Sequence, residues 1–245
     1  MFKLRTNLSM SVLIILGIML LGVTAWAQTP SPVTQEIART YGIDSLSKVD
    51  AIRYTWSGEV TGIFKLTRTW EWEPKTNRVT YQGKDNDGKP IKVTYLRSEI
   101  GGQPDTVKKI DQGFINDNYW LIFPFHAYWD TSATVTRTAM QKLPQGTGTA
   151  DLVAVKYPSE AGGYTPGDTW ELYVGKDNRV QQMVFRHGGN VKPSIVIASW
   201  AGYKKAGPLL VSTEHRGTAD GKPLHLTITN LAVKLEGSDK WISAQ

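Results

Sequence analysis

The feature that most limits what this chain can fold into is a period of two. From Val49 onward apolar and polar residues alternate, so Ile52, Tyr54 and Trp56 share one face of a strand while Arg53, Thr55 and Ser57 share the other. A turn near residues 57–62 leads to a second strand with Phe64, Leu66, Trp70 and Trp72 on one face, interrupted by Arg68. Residues 77–82 read as a third strand with Val79 and Tyr81 inward, and Asp85-Asn86-Asp87-Gly88 turns the chain into a fourth at 91–96. The alternation resumes over 133–140, 152–157, 169–174, 180–186, 194–200, 209–216 and 224–231, with hairpin turns at Gly175-Lys176-Asp177-Asn178 and Asp220-Gly221. This predicts a mainly β chain: an antiparallel curved sheet or unclosed half-barrel of about ten or eleven strands with local connections. One helix is expected ahead of it. Ser31 is the N-cap, Pro32 the first helical residue, Val33, Ile37, Ala38 and Tyr41 the apolar stripe, and Gly42 the stop.

One stretch breaks the alternation. Residues 116–130, NDNYWLIFPFHAYWD, crowd Tyr119, Trp120, Leu121, Ile122, Phe123, Phe125, Tyr128 and Trp129 together with neither a strand period nor a clean helical one. Asn116-Asp117-Asn118 reads as a turn or a helix cap, Pro124 blocks a continuous regular element, and 101–112 reads as irregular. So apolar a segment must be buried, and the expectation is a helical or irregular cover lining or plugging the interior of the sheet. Nine Trp and ten Tyr fit either a β-sheet core, where aromatic residues are favoured, or an aromatic-lined groove.

The first residues have the three parts of a secretory signal: Lys3 and Arg5, an apolar run over 8–23, and Ala25-Trp26-Ala27 as cleavage site. The run is short against the roughly 20 residues of a membrane span; a retained anchor is the alternative. The expected division is therefore a signal peptide at 1–27 and a single domain at 28–245, with no internal repeat. The protein is expected to be exported, periplasmic in a Gram-negative source and otherwise extracellular. With no cysteine in the chain, disulfides are excluded, as is lipid attachment to a cysteine after the cleavage site, and stability must come from packing. Without Lys3 and Arg5 the formal charge falls from +6 to +4. That excess is spread along the chain, which permits attraction to an anionic membrane surface and gives no nucleic-acid footprint.

Motifs that carry chemistry are missing. There is no G-x-S-x-G, H-E-x-x-H or G-x-x-x-x-G-K-[ST] pattern. His215 and His225, with Glu214 nearby, allow a metal site to be drawn, but a one-residue change in register separates them, and the favoured reading is a pair of exposed strand histidines. Asp85-Asn86-Asp87-Gly88 lacks the downstream glutamate of a calcium loop and reads as a turn. Glu71 and Glu73 alternate with Trp70 and Trp72 as the solvated face of their strand. No catalytic residue, metal or cofactor is expected. Arg68 stands out, because a charge on an apolar face costs several kcal/mol unless it is paired or near water. Either it sits at a strand end or stacks on a neighbouring ring, or it is a polar anchor at the mouth of a cavity.

Taken in order, three pieces resemble the lipoprotein-carrier family, the LolA/LolB-like fold. A short N-terminal helix leads into a strand (33–41 into 48–56). A strand, proline turn and strand follow at Thr69-Trp70-Glu71-Trp72-Glu73-Pro74 and 77–82. A turn then precedes an aromatic run and a proline, Asn116-Asp117-Asn118-Tyr119-Trp120 to Pro124. The hairpin at 172–183 is similar to that family's strand, Asp/Gly turn and strand. The resemblance implies an unclosed barrel whose helices cover an apolar cavity that receives acyl chains. The chain departs from the family where carriers often have an arginine just before the turn proline; here Glu73 occupies that position.

On this reading the protein is an exported binding protein holding a lipid, a lipoprotein acyl chain or another apolar ligand, with a membrane surface or an envelope protein as further partners. The residues expected on the ligand are Trp56, Phe64, Leu66, Arg68, Trp70, Trp72, Tyr81, Trp120, Phe123 and Phe125. Two alternatives stand beside it: a non-enzymatic interaction or structural protein with a self-filled core, and a secreted metal-dependent hydrolase built on Glu214, His215 and His225.

Overall fold

The computed structural model describes residues 30–85, 87–160, 166–189 and 191–245. The expected signal peptide lies outside the described residues. Helix α1 (Pro32–Thr40) begins with its proline at the first position and buries Thr34, Ile37 and Ala38. Gly42 follows in the left-handed region at φ 95°, a conformation that costs other residues dearly, and the chain enters the sheet through a short 3-10 turn, Ile43–Lys48.

Fourteen strands form among the described residues: β1 (Val49–Val60), β2 (Phe64–Glu73), β3 (Arg78–Lys84), β4 (Pro90–Leu96), β5 (Thr134–Lys142), β6 (Thr149–Lys156), β7 (Thr169–Val174), β8 (Val180–Arg186), β9 (Ile195–Ser199), β10 (Lys204–Ala206), β11 (Leu209–Val211), β12 (Glu214–Ala219), β13 (Lys222–Leu235) and β14 (Trp241–Ser243). Eleven of them run antiparallel in the order β4-β3-β2-β1-β13-β12-β9-β8-β7-β6-β5, with β14 added on β13 and β10-β11 as a separate hairpin. The sheet does not close, since β4 and β5 stay at opposite ends of that order. The expected mainly β, unclosed antiparallel sheet is what forms. Its two longest strands, β1 and β13, pair with each other, and their register slips between Arg53 and Thr55 opposite a left-handed Asn230. Such bulges bend and twist a long ladder.

Three expectations need correction. The strand expected over 209–216 is two, β11 and β12, separated at Ser212 and Thr213. Residues 101–112, expected to be irregular, hold the end of a 3-10 turn, Arg97–Gly102, and the start of a long helix, α2 (Asp105–Trp129). Pro124 kinks that helix and does not end it. Proline removes one backbone donor and crowds the preceding turn, and the distortion is absorbed at Ile122 (φ −136°, ψ 32°). α2 lies across one face of the sheet. Phe114 meets Trp70 at 5.5 Å, Phe123 stacks on Trp170 at 4.1 Å, and Trp120 stacks on Trp200 at 5.9 Å. No helix among the described residues is long and apolar enough to cross a membrane.

Candidate functional site

Two buried carboxylates on α2, Asp111 and Asp117, and a half-buried one at its end, Asp130, fasten the helix to what lies beneath it. Asp111 accepts from Tyr95 Oη and Arg97 Nε, both at 3.0 Å. Asp130, just after the helix, accepts from Tyr157 Oη at 2.9 Å and Tyr119 Oη at 3.3 Å. Asp117, fully buried, is the central one. Its Oδ2 accepts from Arg68 Nε and Trp70 Nε1, both at 2.8 Å, and its Oδ1 from Arg68 Nη2 at 2.7 Å and Asn116 Nδ2 at 3.0 Å. Burial pushes this carboxyl above its ordinary range, opposed by the Arg68 charge and by the donors around it. Four donors aimed at two oxygens are an arrangement for the ionised form. Arg68 also lies over the Trp56 ring at 4.7 Å. The charge that interrupts β2 is thus paired across the interface and stacked as well. Asp117 is in neither a turn nor a cap; it is mid-helix.

Beside this ion pair, between α2 and the sheet, is a cavity of about 460 Å³. Its walls come from β1 and β2 (Trp56, Val60, Phe64, Leu66), from β7 to β9 (Trp170, Phe185, Val196), from β12 and β13 (Ala219, Leu224, Leu226), and from α2 (Ile115, Tyr119, Trp120). Strands from both halves of the sheet line one space, which requires the sheet to curve around it. Gly58 lets one wall lie flat: a Cβ there would strike the Trp56 indole and Leu226. Arg68, Gln112, Asn116, Asp168, His187 and Lys192 supply the polar lining.

Of the residues expected on a ligand, Trp56, Phe64, Leu66, Arg68 and Trp120 line this cavity. Leu66 is 46% exposed at its rim. The other five are elsewhere. Trp70 packs on Tyr81 at 4.8 Å with its indole N–H spent on Asp117. Tyr81 folds back to donate to the Lys84 carbonyl at 3.0 Å. Phe123 and Phe125 are fully enclosed in the core. Trp72 borders a second, smaller space of about 360 Å³ with Phe114, His126 and Asp130. Strand alternation assigns side chains to a face, but along a strand that face passes from cavity to packed core under the helix. Trp170, Phe185, Asp168 and His187 were missed because they lie at the far end of the sheet in sequence and reach the cavity only through its curvature.

The two strand histidines separate by register. His215 pairs with Leu226 and His225 with Arg216, so the two point to opposite faces. His225 Nε2 meets Glu214 Oε1 at 2.8 Å. His215, expected to be exposed, is fully buried against Trp200 and Trp120. Among the described residues no group of three or more His, Asp or Glu side chains is placed to hold a metal.

Burial depresses His215 to about 4 and, with the Arg97 charge as a lesser cause, His126 to about 3. An unfolded imidazole titrates near pH ~6.5. Between the two values the unfolded chain holds more protons, so stability is complete above pH ~6.5 and falls as pH drops, by roughly 1.4 kcal/mol per pH unit for each such histidine. Asp117 and Asp130, both raised by burial, act in the opposite sense, each losing stability as pH rises through its raised value. Urea unfolding at pH 5.5 should therefore give a stability about 1–3 kcal/mol below that at pH 7.5. His215→Phe should roughly halve that difference, His126 supplying the rest; equal stability of the wild-type protein at the two pH values would contradict a buried neutral His215.

No protein-family model and no curated protein matches the chain. Among solved structures it is similar to a DUF1329 family protein from Desulfovibrio piger (11% identity, TM-score 0.44, covering 84% of this chain and 94% of that one). It is also similar to a LolA superfamily protein from Nitrosomonas europaea (9%, 0.44, 84% and 94%) and to the Mycobacterium tuberculosis lipoprotein LppX (8%, 0.30, 84% and 97%). One of the three bears the name of the family that the sequence resembles.

Proposed function

We propose that this chain is an exported binding protein that holds an apolar ligand, such as a lipid or a lipoprotein acyl chain, between its curved sheet and α2. The observation that carries this reading is the cavity itself. Its roughly 460 Å³ lies within the roughly 300–1,000 Å³ range of small-molecule sites, and its walls are mainly aromatic and aliphatic. Each methylene buried in such a space contributes about 0.8 kcal/mol before costs, so affinity needs no catalytic or metal motif. Export rests on the leader over residues 3–27, and its natural setting is a cell envelope where free lipid is scarce in water.

Filling the space tests the reading. Val196 is buried and lines the cavity, and Val196→Phe puts a ring where a chain would lie. Titration with a fluorescent acyl probe is expected to show a loss of about 100-fold in affinity, equivalent to about 2.7 kcal/mol. The melting temperature should move by only a few degrees, because the ring enters open space and not a packed core. Unchanged probe binding in Val196→Phe would place any ligand elsewhere. Native mass spectrometry of detergent-free protein, before and after organic extraction, reads the same question without a probe: a removable acyl-containing adduct is the expected result.

A further inference from the structure

The reading of the cavity as a ligand site leaves the head of the ligand unspecified, and the polar lining specifies it. Asp168, just before β7, is buried, and its Oδ1 accepts from His187 Nδ1 at 2.7 Å and from the Gly188 backbone N–H at 2.6 Å. With Nδ1 committed to a carboxylate, Nε2 is the ring atom left for a further partner, and among the described residues it has none. His187 is on the cavity wall, 27% exposed. Lys192, on the connection from β8 to β9, lines the same cavity. Its Nζ donates to Ser194 Oγ at 3.3 Å and is 3.8 Å from Asp220. That carboxylate is already occupied by the backbone N–H groups of Ser194 and Ile195. An ammonium has three donors, so capacity remains.

The other charges of the lining are already matched: the Asp168 carboxylate is taken up by His187 and Gly188, and the Arg68 charge is balanced by Asp117. Lys192 is therefore the lining cation with capacity for a ligand, set against walls that are otherwise mainly apolar.

We propose that the ligand is an amphiphile with an anionic, acceptor-only head, a carboxylate or a phosphate, set against His187 Nε2 and Lys192 Nζ, with its chain along Trp56, Phe64 and Trp170. Such a head accepts from the Lys192 ammonium, a charge-assisted hydrogen bond that a neutral head makes less strongly, and it accepts from His187 Nε2 in the ring form that carries both protons, Nδ1–H being spent on Asp168. A purely structural role, clasping the ends of β7 and β8, accounts for Nδ1 and Gly188 but leaves Nε2 and Lys192 unexplained.

The test compares three ligands of equal chain length, palmitate, hexadecyl phosphate and hexadecanol, binding to extracted full-length protein. At least one anion is expected to bind about ten-fold tighter than the alcohol, and which anion gains distinguishes a carboxylate head from a phosphate head. His187→Gln and Lys192→Met should each reduce that preference to within about two-fold. Lys192 is well exposed, so that variant stays informative even where His187→Gln melts early. Equal affinity of wild-type protein for all three overturns the head assignment and leaves the cavity reading standing, as does a preference that survives both substitutions. No binding of any of the three overturns the cavity reading, and the head assignment with it.

Discussion

Asp117→Ala is expected to lower stability by about 3–5 kcal/mol, the cost of removing one partner of a buried ion pair. At about 2–4 °C per kcal/mol for a chain of this size, the melting temperature should fall by roughly 10 °C. The loss comes from what remains as much as from what is removed. The Arg68 guanidinium, 20% exposed, keeps its charge under α2 without a counter-charge, and the Trp70 indole N–H loses its acceptor. Replacing both members, Arg68→Met with Asp117→Leu, should recover most of the stability, since apolar pairs of similar volume often equal or exceed buried ion pairs. A double-mutant cycle in urea measures the coupling directly. If Asp117→Ala costs less than about 1 kcal/mol, the pair is not desolvated and α2 does not sit as described.

The second large effect is expected at Phe123. It is fully enclosed and stacks on Trp170 with the rings 18° apart. Phe123→Ala removes a ring from a packed site just beyond the helix kink and should cost about 3–5 kcal/mol. Because Trp170 is also a wall of the cavity, the same substitution should weaken acyl-probe binding beyond what destabilisation explains, measured well below the melting temperature. Leu66→Ala is the control: on the exposed rim it should change stability by no more than about 0.5 kcal/mol. Similar losses at Phe123 and Leu66 would mean that the distal half of α2 is not docked.

Much of this protein is written locally. The period of two, the turn residues and the capped first helix are consequences of neighbours a few residues apart, so β7 and β8 fall where alternation puts them. Two runs of neighbouring strands, β1 to β4 and β5 to β9, follow from the same short connections, but the expectation of local connections throughout fails where β1 pairs with β13 and β9 with β12, pairings between strands distant in sequence. What the sequence by itself determined, then, is a curved β-sheet chain with an aromatic segment that must be buried and an arginine that needs an explanation. The explanation for Arg68 is 49 residues away at Asp117, inside a run whose crowded aromatics and proline obscure the helical period. Two odd charges on apolar faces are a legible hint only when taken as a pair.

Only the tertiary structure decided which aromatic residues fill the core and which border open space. Trp56 and Trp70 have the same residue type and both face inward from neighbouring strands, yet one lines the cavity while the other is packed under α2. Alternation fixes the face of a residue and says nothing of where along the strand a covering helix crosses. His215 and His225 show the same limit in register, since one step of strand pairing sends one into the core and the other toward solvent. Asp168, His187 and Lys192 join Arg68 around one space because eleven strands bend the sheet back on itself, and curvature is a property of the assembled sheet that no single strand carries.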